Sequence, residues 1–185
     1  LKESIDIMAT GYVFRSKDYD AIGGIPTSYP NLIYADAQLW IELSKKSHLV
    51  VDPSIQFSFR IHSSVTKTSK DKILLDAFIL FLDYLKGLKQ ESANFELTIQ
   101  SNLTAFAEST TKAMAHRLLR TPKMNRQGLT IDKVTNEIAG KCKQMEVPYS
   151  PFKIKSIQIA RFIETTPLLN ELFLIFKKIY KKPVL

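Results

Sequence analysis

The fold turns on HLVVDPSIQFSFRIH, His48 to His62. Ile55, Phe57, Phe59 and Ile61 alternate with Gln56, Ser58 and Arg60, and Leu49 to Val51 is a short apolar run ending in two valines. A period of two places apolar side chains on one face and polar ones on the other, which predicts a half-buried strand. Upstream, Asp36 to Lys46 has its apolar residues Ala37, Trp40, Ile41 and Leu43 on one helical face, with an acid near the start where the helix dipole favours it. Asp18 to Pro30 is turn-rich, with two glycines and two prolines, and Gly11 to Phe14 is a strand-type run.

Downstream the pattern changes. Ser63 to Ser69 reads as a hydroxyl-rich loop, and after it the periodicity is helical. Lys70 to Lys89 is apolar around most of its circumference, so it is expected to be buried or to face a partner. Ser92 to Leu119 carries a stripe of Phe95, Ile99, Leu103, Phe106 and Met114. Thr130 to Met145 is a third helix, with Thr130 placed as its cap. Lys153 to Lys182 is a last helical region that Pro167 kinks or splits. The reading is therefore α+β and helix-dominated, in two parts. Residues 1–69 form a mixed α/β segment, and residues 70–185 a helical C-terminal bundle.

Composition sets the outer bounds. The chain has 185 residues, 45% hydrophobic and 24% charged, the balance of a chain that buries a sizeable core. One cysteine, Cys142, excludes an internal disulfide framework and a cysteine zinc cluster, and points mildly to a reducing compartment. No run of 18 apolar residues is present. A chain that starts at Leu1 reads as a piece or a processed product of a longer one. The net charge of +8 is uneven: residues 1–69 hold seven basic and seven acidic residues, so the whole excess lies in 70–185. That excess favours anionic surfaces. The basic residues are dispersed and no recognition motif accompanies them, so nucleic acid is not an expected partner.

Several residues are candidates for chemistry. Asp36, at a helix start after an irregular loop, can face a cleft and act as general base towards a hydroxyl, or simply cap the helix. His62 ends the alternating strand, and neutral imidazole is a good metal ligand; Arg60, two residues back, shares its face and suits phosphate. A surface histidine at a strand end is the plain alternative. Asp18-Tyr19-Asp20 has the D-x-D form but does not end a buried apolar strand, so it is read as a solvated loop. Gly23-Gly24 allows positive φ and a close approach of backbone to a ligand, or marks an ordinary turn. No phosphate-binding glycine fingerprint, zinc-protease motif or serine-hydrolase order is present. Leu168 to Lys182 combines apolar residues with four lysines, a pattern that suits an anionic membrane surface or a buried helix whose last turns complement the dipole.

Taken in order, GYVFR, YDAIGGIP, YADAQLWIELSK and FSFRIHSSVTKTS resemble the second half of a family-2 glycosyltransferase domain of the GT-A type. The resemblance covers residues 11–69, about a third of the chain. It implies that Asp36 is the catalytic base and that Gly23 and Gly24 shape the acceptor pocket. It implies further that His62 completes a metal-diphosphate site flanked by Arg60 and Ser63. Ala35 stands where many members carry glutamate. The family's nucleotide-binding half, with its own D-x-D, would precede Leu1, so this chain alone is expected not to catalyse transfer. The complete enzyme would use a divalent metal, Mn or Mg, which this part alone is expected not to bind. Its donor would be a nucleotide sugar. Its acceptor would be a glycan or lipid-linked precursor in polysaccharide biosynthesis, at the cytoplasmic face of a membrane. The alternative is a non-enzymatic helical interaction or dimerisation module, in which an exposed apolar surface forms a homodimer.

Overall fold

Asp71–Glu91 and Ala93–Arg120 are two long helices joined by a single extended residue, Ser92. In this computed structural model they are α3 and α4; the structure describes residues 13–46, 48, 50 and 70–179. The other helices are α1 (Ser16–Ala21), α2 (Ala35–Lys46), α5 (Ile131–Gln144), α6 (Lys155–Thr165) and α7 (Pro167–Ile179). Ser92 makes the sharp reversal tolerable. Its Oγ accepts the Phe95 N–H at 3.3 Å, satisfying one of the donors that a helix start leaves open.

The pairings fix the directions of the bundle. Arg117, near the end of α4, reaches Asp71 at the start of α3, and Phe106 meets Phe78 and Phe81 midway, so the two helices are antiparallel. Lys141 pairs with Asp83 and Lys89 donates to the Met145 carbonyl, offsets that make α5 parallel to α3. Arg161 pairs with Asp132 and Glu164 accepts the Ile131 N–H, so α6 is antiparallel to α5. α2 runs alongside α3 in the same direction, through Glu42 to Tyr84 and Lys45 to Glu91.

Helical spacing explains the core. Leu75, Phe78, Leu82 and Leu85 lie three and four residues apart on α3 and are almost wholly buried. Ile99, Leu103, Ala107 and Leu118 face them from α4, and Ile131, Val134, Ile138 and Cys142 from α5. Each such leucine or isoleucine contributes about 1.5–3 kcal/mol by leaving water. Tyr29 and Ala35 belong to the same core, so the segment ahead of α2 is packed onto the bundle.

The structure overturns the α+β expectation. The described residues are all-helical, with seven α-helices and no strand among them. A strand needs a neighbour to satisfy its backbone, and none is present among the described residues. Val13 and Phe14 are irregular; Phe14 instead stacks on Tyr19 at 5.4 Å and meets Trp40 edge-on at 5.5 Å. His48 and Val50 are also irregular. The alternating run Ile55 to Ile61 lies outside the described residues. A second correction concerns Asp18-Tyr19-Asp20, which is part of helix α1 rather than a loop. The helices expected after residue 70 are all present. Thr130 caps α5 by accepting the Lys133 N–H, and the last helical region breaks at Thr166, just before Pro167.

Candidate active site

Asp36 lies in the first turn of α2, exposed to solvent, where an acid complements the helix dipole. Its Oδ1 accepts the Ala37 N–H at 2.8 Å. The chain that leads to it is unusual. Asn31, Leu32 and Tyr34 have φ of 53°, 56° and 70°, three left-handed residues without a glycine within four positions. Bulky residues avoid that region because Cβ crowds the backbone.

Tertiary contacts hold this loop in place. The Tyr34 ring stacks on Phe81 at 5.1 Å and meets Phe78 at 5.6 Å. Tyr29 donates to Gln38 Oε1 at 2.6 Å, tying the loop to the next turn of α2. Burial pushes the Tyr34 phenol up to about 12; its bond with Thr110 acts the other way, and the charge of Asp36 adds to the rise. The Tyr34 ring, two residues before Asp36, thus sits against α3, on Phe78 and Phe81.

Trp40 is four residues on from Asp36, on the same side of α2. With Phe14 and Tyr19 it forms an aromatic group outside the main core. Gly23 and Gly24 both have φ of +80° and close the turn after α1. Tyr19 packs directly beneath Gly24, and its Oη accepts the Ile25 N–H at 3.1 Å. Gly24 thus serves a close approach of backbone to an aromatic ring, while Gly23 supplies a positive φ in open space.

The structure therefore places Asp36, Gly23 and Gly24. Arg60, His62 and Ser63 lie outside the described residues. Among the described residues no group of three or more His, Cys, Asp or Glu is arranged to hold a metal ion, so they do not themselves supply a metal site. Two clefts occur elsewhere. One of about 600 Å³ runs along α5 past Asn136, Lys143 and Tyr149, and one of about 360 Å³ lies beside Arg126, Asp132 and Glu164. Neither touches Asp36.

Sequence reasoning missed Tyr34 and Phe14 as neighbours of this region. Trp40 carried a usable signal, its i+4 spacing from Asp36. The left-handed run carried none, because no glycine marks it. Comparison with protein-family models, with curated proteins and with solved structures gave no match.

Proposed function

We propose that this chain is the acceptor-side part of a glycosyltransferase that uses a nucleotide sugar, with Asp36 as general base. The observation that carries the reading is the left-handed run at Asn31, Leu32 and Tyr34, immediately ahead of Asp36. Residues held there cost of order 1–3 kcal/mol each, and such strain collects at functional sites. A helix cap needs no strain, since one extended residue suffices. Here Leu32 and Tyr34 are the strained residues; the Tyr34 ring packs on Phe78 and Phe81, Tyr29 bonds Gln38, and together they set where α2 begins and so where Asp36 stands.

In the proposed reaction, the Asp36 carboxylate takes the proton of an acceptor hydroxyl. The hydroxyl oxygen forms its bond to the anomeric carbon while the bond from that carbon to the diphosphate oxygen breaks, and the nucleoside diphosphate leaves with the electron pair. The acceptor is a glycan or lipid-linked precursor. Trp40, one turn on from Asp36, and Phe14, which meets Trp40 edge-on, offer apolar ring surface against which a sugar ring can lie. His62, Arg60 and Ser63 are the proposed diphosphate side.

The test is sugar transfer by a polypeptide that joins this chain to a nucleotide-binding half, comparing Asp36 with Asp36→Asn. Loss of kcat by about 10²–10⁴-fold with an unchanged melting temperature supports the reading, that range being the usual weight of a general base. Unchanged transfer overturns it, and points to the alternative, a non-enzymatic helical interaction module.

A further inference from the structure

We draw no further inference here: the strongest candidate, the apolar outer face of α7 at Leu168, Leu172, Ile175 and Ile179, is more than half exposed at each of these residues, and nothing in the structure shows what covers it.

Discussion

The Arg126 guanidinium and the Glu164 carboxylate meet at 2.5 Å, Nη1 to Oε1, with both residues buried. Glu164 uses its other oxygen to accept the Ile131 N–H at 2.8 Å, so one carboxylate neutralises a buried cation and caps α5. Arg126 Nε donates to the Thr121 carbonyl at 2.6 Å, which ties the α4–α5 connection to the same pair. Burial lowers the Arg126 pKa, and the charges of Glu164 and Asp71 oppose that.

Removing one partner leaves an uncompensated buried charge. Glu164→Ala is expected to cost about 3–5 kcal/mol in urea unfolding. The double change Arg126→Met with Glu164→Leu is expected to cost less than the single one, because neither charge then remains. A Glu164→Ala loss below about 1 kcal/mol would place the pair in solvent and not in the interior.

The two adjacent glycines are expected to respond differently to alanine. Both have φ of +80°, which costs a side chain roughly 1 kcal/mol. A Cβ at Gly23 meets nothing within 4 Å, whereas one at Gly24 falls 3.1–3.2 Å from the Tyr19 ring. Gly24→Ala should therefore destabilise more than Gly23→Ala in thermal melts. Equal losses would mean that Tyr19 does not pack beneath the turn.

The end of α5 offers a stabilising change. Glu146 has φ of +57°, and its N–H donates to the Lys143 carbonyl while the Val147 N–H donates to the Cys142 carbonyl, both at 3.0 Å. That closing pattern usually carries glycine. Glu146→Gly is expected to raise stability by up to about 1 kcal/mol, the left-handed strain relieved less the extra entropy of the unfolded chain. Its ion pair with Lys89 is long, at 3.7 Å, with Glu146 largely exposed, and detracts little. A loss of stability would refute the strain assignment.

Alkaline pH should weaken the fold. Burial pushes the Cys142 thiol up to about 11, and burial takes Tyr29, Tyr34 and Tyr149 up to about 12. In the unfolded chain these groups ionise at ordinary values, while the folded protein keeps them protonated. Stability is therefore full below about pH 9 and declines from there towards pH 11–12. Cys142 is also wholly buried, so iodoacetamide should label it only on unfolding. Rapid labelling of the native protein at pH 8 would contradict this.

Much of the bundle was legible before any contact was known. The apolar spacing of Leu75, Phe78, Leu82 and Leu85 specifies a buried helix face by itself. Thr130 as a cap and Pro167 as a break act within one turn of where they stand. Asp36 at a helix start was legible for the same reason. The site's surroundings were not. Tyr34 adopts a left-handed conformation because Phe78 and Phe81, more than forty residues away in sequence, hold its ring.

What the sequence determined alone was thus the local: helix periodicity, caps, breaks and the excess of lysine after residue 70. Tertiary structure decided whatever needs a distant partner. Phe14 joins Tyr19 and Trp40 where a strand-type run was expected, because an aromatic ring finds neighbours there and a lone strand finds none. Asp18 to Asp20 enters a helical turn. Arg126 and Glu164, thirty-eight residues apart, become a buried pair only when α6 folds back along α5. The open apolar face of α7 also depended on the assembled fold, since its residues are apolar on both sides and only packing shows which side the bundle leaves uncovered.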